Sequence, residues 1–337
     1  MRAKLSVAAC LLIAAVAVAA CGEKTESVRP TSAHTQRLSL MLDWFPNADH
    51  VGLYQALADG DFKQVGLSVD VRTPSDPSLP LKLVQAGKVD LAISYEPELL
   101  LARNQNAPLI SIAAIVQEPL TSIVSVGSQH ITKPADLRGK RVGDAGIPYQ
   151  HAYLQTILAH AGVPSASVHE INVGDNLVPA MLSHRVNATL GAFWNYEAIQ
   201  LAQLHKHPNV IRMNRVGVPT YDELVLVASQ NTIIHKTSEL RRFVQALARG
   251  YESARRTPDV AVRNLLAANP SLDRSFQRAA VRATLPAFFP SGSHPWGWQD
   301  QGQWTAYGQW MMREHLISNP AALAQPESDD FLPGVGP

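Results

Sequence analysis

Short apolar runs of strand length alternate with helix-length amphipathic segments along this chain, and that rhythm fixes its fold class. Residues 38–42, 67–71, 89–93 and 109–116 read as strands. Helix patterns fall between them at 51–59, closed by Gly60, at 81–86, stopped by Gly87, and at 98–105. The rhythm restarts after Pro119, with strand patterns at 122–126, 140–143, 168–173, 188–192 and 210–213. Helices are expected between these at about 149–161, 177–183 and 197–204. Residues 224–229 return to strand pattern, and from Ser238 onward the chain reads as helical, at 239–256, 259–268, 275–284 and 301–315. Such alternation predicts an α/β protein whose sheets are mostly parallel. Two consecutive units with a helical return predict two lobes. Residues 37–125 and 222–320 make the first, 126–221 the second, and 321–337 read as a loose tail. Ligands of such folds bind in the crevice that strand C-termini face.

The N-terminus has the three-part layout of an export signal. Arg2 and Lys4 give a positive start, and 5–20 is an apolar run without charge. The run ends in Val18-Ala19-Ala20-Cys21-Gly22, and it is short and Ala-rich for a membrane-spanning helix. This ending resembles a bacterial lipobox, which implies a diacylated Cys21 at the N-terminus of a protein anchored to the outer face of the cell membrane. Residues 22–36 are polar and read as a flexible tether. Both cysteines, Cys10 and Cys21, lie in this leader, so the body has neither a disulfide nor a thiolate metal site. A net charge of +1 gives no basic stripe, which argues against nucleic-acid binding. No serine triad, metal-ligand spacing or phosphate loop is evident, so neither a metal nor a cofactor is expected.

Four segments carry a resemblance to a known family. The first is Leu42-Asp43-Trp44-Phe45-Pro46-Asn47-Ala48-Asp49-His50-Val51-Gly52-Leu53-Tyr54. Gly87-Lys88-Val89-Asp90-Leu91-Ala92, Pro134-Ala135-Asp136-Leu137-Arg138-Gly139-Lys140-Arg141-Val142-Gly143 and Gly191-Ala192-Phe193-Trp194-Asn195-Tyr196-Glu197 follow in order. Together they resemble the SsuA/THI5-like (NMT1/THI5) solute-binding proteins, nearest the ThiY-type branch that binds pyrimidine precursors of thiamin. The resemblance implies a type 2 periplasmic-binding-protein fold whose two lobes close on a ligand. It also implies a monomer that delivers a small heteroaromatic molecule, formylaminopyrimidine or hydroxymethylpyrimidine, to an ABC permease. The same family contains fungal synthases that make the pyrimidine from a histidine and pyridoxal phosphate. His50 matches their substrate histidine, but their Cys-rich motif is absent here. A third reading keeps the fold and exchanges the ligand for riboflavin, a sulfonate or a nitrate-like anion.

An aminopyrimidine needs flat apolar faces to stack on and an acceptor for its exocyclic amine. Trp44 follows the first strand and is either a stacking face or a plug beside Pro46. Asn47 either bonds the ligand or caps the helix after it. His50 is a candidate contact or a core histidine. Tyr95 and Glu96 follow the strand 89–93, where Glu96 either meets the ligand or favours a helix dipole. Trp194, Tyr196 and Glu197 follow the strand 188–192 and offer rings and an acceptor, or else form a helix start with Trp194 in the core. Tyr221 and Glu223 precede the returning strand and either reach the crevice or belong to the hinge. The 143–146 turn offers backbone N–H groups, Gly146 among them, for a formyl oxygen or an anion, or serves only to turn the chain. An anionic ligand calls for Arg or Lys in these motifs. Their aromatic and acidic character favours an uncharged or cationic ring.

Overall fold

The structure is a computed structural model that describes residues 35–289, 292 and 294–335; the export signal, Cys21 and residues 22–34 of the tether lie outside it. Ten strands follow in order: β1 (Gln36–Met41), β2 (Leu67–Arg72), β3 (Leu91–Ser94), β4 (Leu109–Val116), β5 (Thr121–Ser125), β6 (Arg141–Asp144), β7 (His169–Asn172), β8 (Ala188–Phe193), β9 (Asn209–Arg212) and β10 (Leu224–Ser229). They form two five-stranded sheets, β2-β1-β3-β10-β4 and β7-β6-β8-β5-β9. In the first, β1 runs parallel to β2 and β3, while β10 inserts antiparallel between β3 and β4. In the second, β6 runs parallel to β7 and β8, while β5 lies antiparallel between β8 and β9. Each sheet thus contains one strand of opposite direction, supplied by a segment that has just crossed over from the other lobe. All six residues of β10 are buried, which is why it reads as a continuous apolar run rather than an alternating one.

Four sequence expectations need correction. β1 starts at Gln36, inside the expected tether. The second lobe starts before Val126, because β5 pairs Thr121 with Phe193 and Ile123 with Ile211. An apolar run between two sheets carries no local mark of which one it joins. The helix expected from 239 begins at Gln230, where the Ser229 hydroxyl accepts from the Thr232 amide, and it is kinked at Lys236 (φ −132°). Finally, residues 321–335 are pinned rather than loose. The Ser111 amide donates to Pro326 O and the Ser328 amide to Ser111 O, so this segment covers the open edge of β4. Phe331 and Leu332 are buried there, and the Arg103 guanidinium holds the carbonyls of Leu109, Ala322 and Ala324.

The helical return is not confined to the first lobe either. In the helix Gln301–Arg313, Trp310 stacks on Tyr153 of the second-lobe helix Pro148–His160, at 5.3 Å between ring centroids. Tyr153 also stacks on Tyr221 at 5.8 Å, and its hydroxyl meets that of Tyr307. An aromatic block therefore stands behind the hinge and joins both lobes.

Within the first lobe the helix Val51–Asp59 lies against the long helix Gln230–Arg256 at a distance that only glycine permits. A Cβ on Gly250 overlaps the carbonyl oxygen of Gly52 and the Cβ of Ala56, and one on Gly52 overlaps the Tyr251 ring. Backbone cannot step aside as a flexible side chain can. Gly250→Ala is therefore expected to destabilise the protein by about 1–3 kcal/mol, read as a lower urea midpoint at unchanged slope.

Candidate ligand cleft

The turn after β1 is held by a buried polar chain that begins at Asp43. Its Oδ1 meets His50 Nε2 at 2.8 Å and its Oδ2 accepts from the Tyr95 hydroxyl at 2.8 Å. The backbone N–H of Asn47 donates to His50 Nδ1 at 3.2 Å, so that nitrogen is unprotonated and Nε2 carries the proton toward Asp43. Burial pushes the Asp43 carboxyl up, but the bonds from His50 and Tyr95 outweigh it and hold Asp43 below the usual carboxylate range. Asp43 therefore sits charged at the floor of the crevice and aims the Tyr95 ring.

This arrangement decides several of the candidates. His50 is 0% exposed and both its ring nitrogens are bonded, so it braces the turn. Asn47 is a cap: its Oδ1 accepts from the Asp49 amide at 2.8 Å and its Nδ2 donates to Phe45 O at 3.1 Å. Glu96 is buried toward the hinge, where its Oε2 accepts from the Asp222 amide at 2.7 Å. Burial and the neighbouring Asp222 push its carboxyl well above the ordinary range. Glu223 fastens the two crossovers, accepting from the amides of Leu120 at 2.7 Å and Thr121 at 2.9 Å, and from the Tyr221 hydroxyl at 3.2 Å. Tyr221 is fully buried in the aromatic block. Trp194 donates from Nε1 to Pro119 O at 3.0 Å, with the Arg212 guanidinium 4.0 Å above its ring, so it packs the crossover. Gly146 turns the chain at φ +75°, and its N–H is spent on Asp144 Oδ1 at 2.6 Å; the Ala145 N–H is likewise taken by Gln150 Oε1. Neither amide is free for a formyl oxygen. Each of these groups is already engaged by the protein, although Glu96 Oε1 has no partner. Polar groups beside a crevice need buried partners of their own, and sequence does not show which partner is near.

Trp44, Tyr95, Tyr196 and Glu197 are half-buried in the segments that follow β1, β3 and β8. Trp44 lies 5.4 Å from Phe45, and Phe45 reaches across to Tyr196 at 6.3 Å, edge to face. Tyr196 in turn meets Phe276 at 4.7 Å. Phe45, 40% exposed, was passed over in the sequence, although its place between Trp44 and Pro46 was the available signal. Glu197 accepts from the Phe193 amide at 2.7 Å, and burial pushes its carboxyl to about 7. Glu98, also missed, accepts from the Ser94 hydroxyl at 3.1 Å and is pushed to about 7 by burial. Tyr149 of the second lobe is buried close enough to feel the charge of Glu98. Among the described residues no group of His, Cys, Asp and Glu is placed to hold a metal ion. Two open cavities, of about 670 and 340 Å³, are lined by other residues, on the outer face of the first lobe and behind the hinge.

A family model for NMT1/THI5-like proteins matches residues 47–261, a stretch that begins at the Asn47 cap and includes both crossovers. The chain belongs to the NMT1/THI5-like family. A formylaminopyrimidine-binding protein of Halalkalibacterium halodurans is 33% identical over 92% of this chain and 94% of its own. A 4-amino-5-hydroxymethyl-2-methylpyrimidine phosphate synthase of Legionella pneumophila is 22% identical over 90% of this chain and 94% of its own. Among solved structures, the alkanesulfonate-binding protein SsuA from Xanthomonas axonopodis pv. citri superposes with a TM-score of 0.66 over 87% of this chain and 98% of its own, at 14% identity. At that identity the likeness is one of fold, and the NMT1/THI5-like chain described here has the type 2 periplasmic-binding-protein fold.

In this family member, burial raises the carboxyls of Asp49, Glu98, Glu197, Asp222 and Glu223 to about 7 each. Unfolded carboxyls release their protons near 4. Between those limits the folded state binds more protons than the unfolded one, so stability falls as pH rises through that window. Asp43, whose shift is downward, adds its opposite dependence only on the acid side of the window. The expected outcome is a higher Tm at about pH 5.5 than at about pH 8. A flat or reversed profile in calorimetry contradicts the burial assigned to these groups.

Proposed function

We propose that this NMT1/THI5-like protein captures an uncharged or cationic pyrimidine precursor of thiamin, formylaminopyrimidine or hydroxymethylpyrimidine, outside the cytoplasm. The observation that carries the reading is the pairing of a half-buried ring with a carboxyl titrating near neutrality on each lobe: Tyr95 with Glu98, and Tyr196 with Glu197. A protonated carboxyl donates through one oxygen and accepts through the other. The edge of an aminopyrimidine, a ring nitrogen beside an amino group, is its complement. A sulfonate offers only acceptors, and the charged carboxylate of Asp43 opposes it. The 33% identical relative, named for formylaminopyrimidine binding, supports the same ligand class. The protein is a binding protein rather than an enzyme of this family, since the synthase matches at 22% and the cysteine-rich motif of those enzymes is absent.

Delivery follows from the two-lobed fold. A ligand that touches both lobes favours their closed arrangement, and the closed form is what an ABC permease in the membrane receives. Lipid on Cys21 holds the protein at the outer face of the membrane.

A thermal-shift screen against formylaminopyrimidine, hydroxymethylpyrimidine, thiamin, riboflavin and taurine tests the ligand. A pyrimidine at ~100 Kd is expected to add ~2.7 kcal/mol, and no shift with either pyrimidine removes the reading. Glu197→Gln is expected to weaken the aminopyrimidine about tenfold while leaving riboflavin unaffected, because a carboxyl that titrates near 7 can pass its proton to the ring nitrogen and form a charge-assisted bond, whereas the amide cannot; equal affinities of variant and parent in calorimetry refute the role of Glu197. Cys21→Ser is expected to move the protein from the membrane fraction to the soluble one in its host.

A further inference from the structure

Asn195 sits between Trp194 and Tyr196 in the turn that ends β8, and its side chain leaves the second lobe. Nδ2 donates to Asp49 Oδ1 at 2.7 Å and to Thr284 Oγ1 at 2.8 Å, both on the first lobe. The Thr284 hydroxyl gives its own proton to Ala280 O at 2.8 Å, so its oxygen is an acceptor and the amide nitrogen must face it. Asp49 is held from behind. Its amide donates to Asn47 Oδ1 at 2.8 Å, and its carbonyl accepts from the Tyr251 hydroxyl at 2.7 Å. Asn195, Asp49 and Thr284 are all buried, while Asn195 Oδ1 has no partner.

That stranded oxygen sets the strength of the contact. Two bonds, one to a carboxyl, favour the joined lobes, and an unpaired buried acceptor opposes them. The lobes are held without being locked. Tyr196 and Glu197 follow Asn195 directly, and Glu197 opens the helix Glu197–Gln203, so seating Asn195 brings them to the first lobe as a unit. With Asn195 seated, Tyr196 meets Phe45 and Phe276 of that lobe.

We propose that Asn195 is a positioning residue that couples lobe closure to the placement of Tyr196 and Glu197 against the ligand. The inference rests on the pyrimidine reading of the crevice, yet closure itself is measurable without ligand. The charged and titratable groups facing Asp49 are Asp43 and His50 on its own segment, Glu223 at the hinge, Tyr251 on the long helix and Tyr196 beside Asn195.

Small-angle X-ray scattering on the protein, without ligand and saturated with formylaminopyrimidine, gives the test. Asn195→Ala is expected to have a larger ligand-free radius of gyration than the parent, to return to the closed value at saturation, and to bind about tenfold more weakly in calorimetry, as a smaller closed population requires. A variant that is merely destabilised is not re-closed by ligand. Asn195→Asp places a second carboxyl beside Asp49; it is expected to open at about pH 8 and to close again near pH 5.5, when one proton bridges the pair. Thr284→Val keeps the volume, removes one acceptor and is expected to open the lobes partially, which keeps the test available if Asn195→Ala does not fold. Ligand-free scattering identical to the parent in the variants overturns the proposal. A parent that binds no pyrimidine, with variants that still open, supports the closure role and removes the ligand reading alone.

Discussion

Two sheets that share strands through crossovers keep one relative arrangement only if the crossovers are fastened to each other. The Glu223 carboxylate does this. It gathers the amides of Leu120 and Thr121 from the outgoing crossover while standing one residue before β10, the strand of the return. The amides at the start of β5 lie where the chain leaves one sheet for another, and in a buried site they need an acceptor. A side chain from the opposite crossover supplies it. The joint therefore ties the outgoing and returning crossovers to each other through one side chain.

Acidic side chains cluster beside that joint. Asp43 stays charged because His50 and Tyr95 donate to it, whereas Glu98, Glu197 and Asp49 lie where burial favours the neutral acid. The difference arises from hydrogen bonds and not from depth, since all of these groups are well enclosed. A fixed charge at the floor and neutral acids at the walls suit a ring that is rich in donors. The SsuA fold shared with this chain thus provides the crevice, while local carboxyl environments decide what enters it.

The aromatic block behind the hinge and the pinned C-terminal segment limit how the lobes move. Tyr153, Tyr221, Tyr307 and Trp310 stack across the boundary between second-lobe helix and returning helix. Their flat faces slide more readily than interlocked aliphatic side chains separate. At the opposite side of the waist, Asn195 bonds to Asp49 and Thr284 through a contact that leaves one oxygen unpaired.

Much of the fold was legible along the chain because strand and helix periodicities are local properties. β10 and the helices ending at Asp59 and Thr284 lie where their apolar spacing places them. The same rule makes the segments after β1, β3 and β8 the expected crevice edges, and Trp44, Tyr95, Tyr196 and Glu197 are half-buried in them. Sequence alone did not distinguish an edge residue that is free from one already engaged. Asn47 and the Gly146 amide meet partners two residues away, whereas Glu96 Oε2, Trp194 and Glu223 meet partners that lie more than seventy residues off in sequence, as Glu223 does with Leu120. Periodicity is written in the order of residues, whereas the pairing of buried polar groups is set by distances that exist only once both sheets have formed.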